Sequence, residues 1–342
     1  MPKLQILVPH YKEPFAIVKP LLDSLAIQQG VNLAEDVSVI IVNDGPDGTL
    51  DTALFEPYPF SISYYINAHE GVSAARNACL DLSSAPFVMF CDCDDMFSSC
   101  LALYQIIGEI NASTPEAPVD ALISTFIQES YSPTTGAFTY ANRGNKDVDG
   151  LDCIFVHGKI YRRDFLKANN IRWNPALTIH EDSYFNCLCF ALSRNTKYLQ
   201  QPFYLWKYRP NSVCRSDTNY IIKTFPHLLC SSDALTSEFL SRGLEERACY
   251  NAYYTLFNTF FSWNLPSWQD PALAPYRDAI VPLIYTYYKK YESLITSASD
   301  SVKIESLRIL RNKFLNQGLY TESITFADWL AMIEHSAKER VD

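Results

Sequence analysis

Phe87-Val88-Met89-Phe90-Cys91-Asp92-Cys93-Asp94-Asp95 is an apolar run that stops at three carboxylates. Residues 87–91 read as a short strand buried on both faces. Open α/β sheets bind their ligands at the carboxyl ends of strands, which is where Asp92 and Asp94 fall. Two positions apart, they project to one side of an extended chain and can reach one cation or its water shell. An isolated D-x-D is common in acidic turns. One that ends a buried strand, with glycine-rich and basic segments upstream, is a far more specific signal.

The chain on either side alternates. Residues 4–8, 37–42 and 62–66 read as further strands, the second nearly all β-branched. Val18, Leu21, Leu22 and Leu25 recur at helical spacing between the first two, with Gly30 as the expected C-cap. Ser73 is the expected cap of a helix over residues 74–82. Strand, helix, strand at this rhythm predicts an α/β fold with a mainly parallel sheet flanked by helices. Loop residues cluster at 113–118 and 132–136. From about residue 215 strand signals fade and aromatic positions recur at helical spacing: Tyr250, Tyr253, Tyr254, Phe257, Phe260, Phe261, then Ile280, Leu283, Ile284 and Tyr287. Residues 306–315 and 326–333 read as further amphipathic helices. Their apolar faces need a partner surface, and the acceptor side of the N-terminal domain is the one expected.

With 342 residues, 48% hydrophobic and 19% charged, the composition is that of a soluble globular protein. No apolar run has bilayer length, and no basic-then-apolar leader opens the chain, so a soluble, cytoplasmic protein is expected. Cys79, Cys91, Cys187 and Cys189 lie in apolar segments, where reduced cysteine behaves as a small hydrophobe. Cys91-x-Cys93 and Cys187-x-Cys189 lack the paired C-x-x-C spacing of zinc sites. A formal charge of −10 disfavours general nucleic-acid binding.

Four further segments carry chemistry. Pro9-His10-Tyr11-Lys12-Glu13 follows the first strand and can offer an aromatic ring and backbone groups to a ligand. Asn43-Asp44-Gly45-Pro46-Asp47-Gly48 follows the second; by itself it is a turn, but at a strand end Asp44 can hydrogen-bond a nucleobase. Glu70-Gly71-Val72-Ser73-Ala74-Ala75-Arg76-Asn77 opens a helix with small residues, and Arg76 in its first turn can face an anion, a surface salt bridge being the plainer alternative. Glu181 and Asp182 start another helix, where carboxylates complement the dipole even without a catalytic role.

In this order and spacing, these segments resemble the family 2 glycosyltransferases, an inverting class with the GT-A fold. Residues 4–13 resemble the opening strand and P-x-Y-N-E loop, residues 40–45 the V-D-D-G-S nucleotide segment, and residues 71–77 reproduce G-V-S-A-A-R-N in full. Residues 90–95 are similar to the F-L-D-S-D-D metal motif. Residues 158–163 and 181–185 resemble the acceptor-side G-K-x-Y-R and E-D-x-x-F segments, and Trp206-Lys207-Tyr208-Arg209-Pro210-Asn211-Ser212-Val213 the closing Y-R-x-x-S element. The resemblance spans roughly residues 4–213. Asn43 replaces the first acid of the D-D-G pair, Lys12 the usual Asn, and Cys93 fills the tolerant middle of D-x-D.

The resemblance implies a GT-A catalytic domain over residues 1–214 and a helical C-terminal domain over 215–342. It implies a nucleotide-diphosphate sugar donor, a UDP-sugar first, held by Pro9, His10, Tyr11, Glu13, Asp44, Gly71, Arg76, Asp92 and Cys93. Mn²⁺ or Mg²⁺ would sit on Asp94 and Asp92, to stabilise the leaving diphosphate. Asp182 is the implied general base, beside Glu181. Lys159, His180, Trp206 and Arg209 are acceptor-side candidates, each with a structural alternative. The implied acceptor is a glycan or polysaccharide. Alternatives from other classes are a transferase acting on modified DNA, a non-catalytic glycan- or nucleotide-binding module, and a glycoside hydrolase, which would not need a phosphate-facing Arg76.

Overall fold

The computed structural model describes residues 1–143, 154–210, 212, 220–265, 268, 270–315 and 324–338. The chain divides into two compact units, Met1–Ser212 and Val213–Asp342. The first is built on β1 (Leu4–His10), β2 (Val37–Asn43), β3 (Ser61–Ile66), β4 (Phe87–Phe90), β5 (Met96–Phe97), β6 (Ala121–Ser132), β7 (Ala137–Arg143), β8 (Lys159–Arg162) and β9 (Thr196–Trp206). They form one sheet in the order β3-β2-β1-β4-β8-β6-β9-β5, with β7 paired to β6. β3, β2, β1 and β4 run parallel. β8 lies antiparallel between β4 and β6, β9 is parallel to β6, and β5 is antiparallel to β9. The parallel part is therefore one half of a mixed sheet.

Helices α1 (Phe15–Ala26), α2 (Leu33–Asp36), α3 (Val72–Leu82), α4 (Ala102–Asn111), α5 (Arg163–Ala168) and α6 (Glu181–Leu192) connect the strands. Every residue of β1 and β2 is buried, as a parallel sheet covered on both faces requires. Leu4, Ile6 and Val8 join Val18, Leu21 and Leu22 of α1 and Ile106 of α4 in one apolar core. The alternate residue Leu7 is buried outside that core, while α3 lies along β1 and β2. From β1 the chain runs outward to β2 and β3 and then returns to β4 on β1's other side. Such a reversal opens a crevice at the strands' carboxyl ends, where the loops after β1, β2 and β4 sit.

Two local expectations are corrected. α1 ends at Ala26 with Ile27 as C-cap, so Gly30 lies beyond the cap. Ser73 is not the cap of α3, whose N-cap is Gly71 at φ 93°. The Asp44 carboxylate takes the N–H groups of Glu70 and Gly71 at 2.9 and 2.8 Å, so a neighbouring loop does the capping. The Ser73 hydroxyl instead donates to the Leu177 carbonyl.

The second unit contains α7 (Tyr220–Lys223), α8 (Phe225–Ser241), α9 (Glu245–Trp263), α10 (Ala274–Thr296), α11 (Asp300–Leu315) and α12 (Phe326–Lys338). Tyr253, Phe257, Phe260 and Phe261 pack with Ile280, Ile284, Tyr287, Trp329 and Ile333 in a core of the unit's own. Leu283, expected in that stripe, is exposed. The α11 side chains from residue 311 onward lie outside the described residues. None of the described helices is long and apolar enough to cross a membrane.

A polar ladder crosses this core. Asn251 Nδ2 donates to Thr236 Oγ1 at 2.8 Å and to Ser232 Oγ at 3.0 Å, and Ser232 Oγ lies 2.7 Å from the Tyr287 hydroxyl. Buried polar groups of this kind register helices against one another only while all are satisfied. Asn251→Ala strips the ladder of its donor and is expected to cost about 1–3 kcal/mol. A lowered urea midpoint for the helical unit, at unchanged slope, is the expected reading.

Candidate active site

The residues after β4 keep the alternation of the strand. Cys91, Cys93 and Asp95 are buried, while Asp92 and Asp94 between them are only half-buried. Cys93 belongs to the apolar core beside Phe97 and Leu103, and burial pushes its thiol well up. The pleat that turns Asp92 and Asp94 outward turns the Cys93 side chain inward, so Cys93 can meet a ligand only through its backbone.

Asp95 is anchored. The Tyr204 hydroxyl donates to its Oδ2 at 2.6 Å and the Lys207 N–H to its Oδ1 at 2.9 Å. His157 Nδ1 lies 3.8 Å from the same Oδ2. Burial first, then Asp92 and Asp94, hold the Asp95 carboxyl well above the usual carboxylate range. The Tyr204 hydroxyl also accepts the Asp92 N–H at 3.2 Å. Asp92, Asp95 and His157 each offer a ligand atom within 4.8 Å of the others, a candidate cation site among the described residues. Asp94 is held differently: Arg209 Nη1 donates to it at 2.8 Å and sits 3.4 Å from Glu13 Oε1. Burial, then Asp92, raises the Asp94 pKa, while Arg209 pulls the other way. This oxygen-rich cluster suits a hard divalent cation.

Arg76 connects this end of the sheet to α6. It is only 4% exposed, with Nη2 at 3.0 Å from Asp92 Oδ1 and Nη1 at 2.8 Å from Glu181 Oε1. Its guanidinium lies over the Trp173 ring, 4.4 Å from the centroid. Burial disfavours its charge, but Asp92 and Glu181 outweigh burial and raise its pKa. Of the two readings of Arg76, anion partner or salt bridge, the structure shows ion pairs, here buried. α3 begins at Val72, so Arg76 comes after the first turn, and it clamps two protein carboxylates.

Asp182, next to Glu181 at the start of α6, accepts the Ser183 N–H at 2.8 Å. Burial and the neighbouring Glu181 push its pKa up to about 7, against the lowering pull of Arg76 and Lys159. Lys159 is 1% exposed and its ammonium donates to the Phe155 carbonyl, so it acts from inside the protein, by charge. His180 is the N-cap of α6 in the left-handed region, at φ 63°. Trp206 packs on Phe126, Phe155 and His157, against the core. Asn211 and Val213, the end of the Y-R-x-x-S-like segment, lie outside the described residues.

On the β1 and β2 side, His10 is buried, with Nδ1 2.7 Å from Asn43 Oδ1 and Nε2 2.7 Å from the Glu13 carbonyl. Pro9 is also buried, in β1. Tyr11 is 40% exposed, and its ring stacks on His69 at 4.7 Å with 12° between planes. The Tyr11 N–H donates to Glu13 Oε2 at 2.9 Å. Asp44 is buried, and both its oxygens already serve Glu70 and Gly71. Sequence reasoning missed Trp173, Tyr204, His157 and the distinct role of Asp95. Only Asp95 and His157 adjoin quoted motifs; Trp173 and Tyr204 carry no spacing signal.

Residues 5–169 match the family model described as Glycosyl transferase family 2. The "Uncharacterized glycosyltransferase EpsJ" of Bacillus subtilis (strain 168) is 27% identical over 230 residues, spanning 62% of this chain and 63% of that protein. The "Glycosyltransferase GlyA" of Streptococcus pneumoniae serotype 4 is 24% identical over 236 residues, 62% of this chain and 32% of that protein. The chain thus matches less than two thirds of the length of either relative. Among solved structures, S. aureus TarS 1-349 superposes with a TM-score of 0.58 at 17% identity, over 94% of this chain and 93% of that one. Its complex with UDP-GlcNAc gives 0.56 over the same shares. The fold is GT-A-like, with a helical C-terminal region.

Arg76→Met leaves Asp92 and Glu181 without their shared partner, a loss of about 3 kcal/mol for a buried pair. The expected result is a lowered denaturation midpoint at pH 7. A midpoint equal to the wild type at pH 7 contradicts the clamp.

Proposed function

We propose that this chain, whose residues 5–169 match the model of glycosyl transferase family 2, is an inverting glycosyltransferase that moves a sugar from a nucleoside-diphosphate donor to a hydroxyl of a glycan or polysaccharide acceptor. The observation that carries this reading is the Arg76 clamp, which holds strand-end Asp92 beside the Glu181–Asp182 start of α6. Donor-side acids and a candidate base are thereby fixed together. A UDP-sugar is the first donor to test, since the TarS structures of the same fold hold UDP and UDP-GlcNAc. The exposed Tyr11 ring, backed by His69, is a stacking surface for the base. The cytoplasm is the proposed location.

The acceptor oxygen attacks the anomeric carbon as the bond to the diphosphate breaks, and the hydroxyl proton passes to the Asp182 carboxylate. A single displacement of this kind inverts the anomeric centre. A base works best with a pKa near the operating pH, and burial beside Glu181 brings Asp182 there. Asp94 and Asp92 are the residues that would hold Mg²⁺ or Mn²⁺, with Asp95 and His157 beneath them. Such an ion supplies countercharge for the leaving diphosphate. Arg209, already on Asp94 and near Glu13, contributes positive charge at the same place.

Asp182→Asn keeps size and removes basicity. Transfer is expected to fall by about 10²–10⁴-fold, with UDP affinity by calorimetry nearly intact. Near wild-type transfer by that variant assigns the base elsewhere. Asp182 accepts a proton only when ionised, so kcat/KM for transfer is expected to rise with pH through a midpoint of about 7 before it levels. Chelation, or Asp94→Ala, is expected to remove turnover with the fold retained, and added Mn²⁺ or Mg²⁺ to restore the chelated wild type alone. Full activity in excess chelator overturns the metal assignment.

A further inference from the structure

The β6–β7 hairpin carries a face that the reading above does not use. Tyr131 of β6 lies directly opposite Phe138 of β7, and Glu129 directly opposite Tyr140. Side chains two apart on a strand share a face, so these four stand together. The other face of β7 carries Ala137, Thr139, Ala141 and Arg143, none of them aromatic. Aromatic rings are thus confined to one side of an edge strand exposed along its whole length.

On that side the Tyr131 and Phe138 rings are 5.1 Å apart, and Tyr208 closes a triad at 5.5 Å from Tyr131 and 6.3 Å from Phe138. Glu129 fixes the arrangement, accepting the Tyr140 hydroxyl and the Tyr208 N–H, each at 3.0 Å. On the opposite face Arg143 Nε donates to Gln128 Oε1 at 2.8 Å. Phe138 is 51% exposed and Tyr140 61%. An edge strand with bare aromatic rings is an aggregation liability unless something covers them in use.

We propose that this face, Tyr131, Phe138, Tyr140 and Tyr208, is an acceptor subsite on which a pyranose ring of the glycan chain stacks. The proposal rests on the glycosyltransferase reading and names the acceptor chemistry at that same site. Two observations favour a sugar over a protein. Rings packed on one another around Glu129, and edged by that carboxylate and by tyrosine hydroxyls, match a ligand with an apolar C–H face and a hydroxyl rim. The surface is also continuous with the donor side, since Tyr208 precedes Arg209, whose guanidinium holds Asp94. A chain stacked there leads to the acids where transfer is proposed, so the subsite would reward acceptors several sugars long.

The test uses the full chain with UDP and a panel of cellohexaose, N-acetylchitohexaose, maltohexaose and mannohexaose, read by saturation-transfer NMR and titration. At least one hexasaccharide is expected to bind the wild type through its ring C–H protons. Phe138→Ala should weaken that binding by about two- to tenfold, and Phe138→Tyr, which keeps the ring, should retain it. No binding by any member at millimolar concentration, or equal binding by Phe138→Ala, overturns the proposal. So does a wild-type dimer that Phe138→Ala converts to monomer, which makes the face a contact between copies. UDP binding to the wild type is scored separately. Its absence sinks the donor reading while leaving glycan binding to stand or fall by itself.

Discussion

The site depends on one buried cation. Arg76 satisfies Asp92 at the end of β4 and Glu181 at the start of α6, segments far apart in the chain, and does so against the face of Trp173. A planar guanidinium can serve two carboxylates and a ring at once, which an ammonium cannot. Taking such a charge out of water is tolerable only with its partners present, so the pair gives position more than stability. The support is reciprocal. Asn77, next along α3, donates to the Trp173 carbonyl and accepts its N–H, at 2.8 and 3.0 Å, which fixes the ring under Arg76. One turn of α3 therefore sets the distance between the acids at the sheet edge and the acids of α6.

That clamp leaves the site acid-rich. Asp94, Asp95 and Asp182 all have raised pKa values, burial being the first cause of each and a neighbouring carboxylate the second. They differ in what holds them. Asp95 is locked by Tyr204 and Lys207, Asp94 is matched by Arg209, and Asp182 has the Ser183 N–H. A carboxyl lightly held and poised near neutrality is the one suited to take up and release a proton, whereas a locked one is suited to structure. The cluster separates into a buried acid that braces the loop, half-buried acids beside it, and a carboxyl poised near neutrality.

Period was legible; partnership was not. Alternation through residues 91–95 foretold which carboxylates turn outward, and followed consistently it also places Cys93 in the core. The aromatic stripes of α9 and α10 foretold helices, yet not that they bury against one another, because an apolar face does not name its partner. Arg76 was visible in its motif, but its clamp needed Glu181, 105 residues on. Ser73 had the right chemistry for a cap, and lost the place to Gly71 because Asp44 reaches across from the β2 loop. Each miss is a tertiary contact overriding a local preference.

The departures from the family pattern follow the same logic. Asn43 stands where an acid is usual, beside Asp44 and two loop carbonyls. Its Nδ2 donates to the Gly45 and Asp47 carbonyls at 2.6 and 3.1 Å, while its Oδ1 faces His10. A carboxylate accepts only, so it would leave those carbonyls unserved and set a second negative charge against Asp44. His10 and Asn43 thus act as a pair that joins the loops after β1 and β2. Lys12 does the same from outside, 3.2 Å from Asp47. With the turn held by Asn43, the Asp44 carboxylate is free to bind the N–H groups that begin α3. The loops after β1 and β2 are in this way coupled to the helix that carries Arg76.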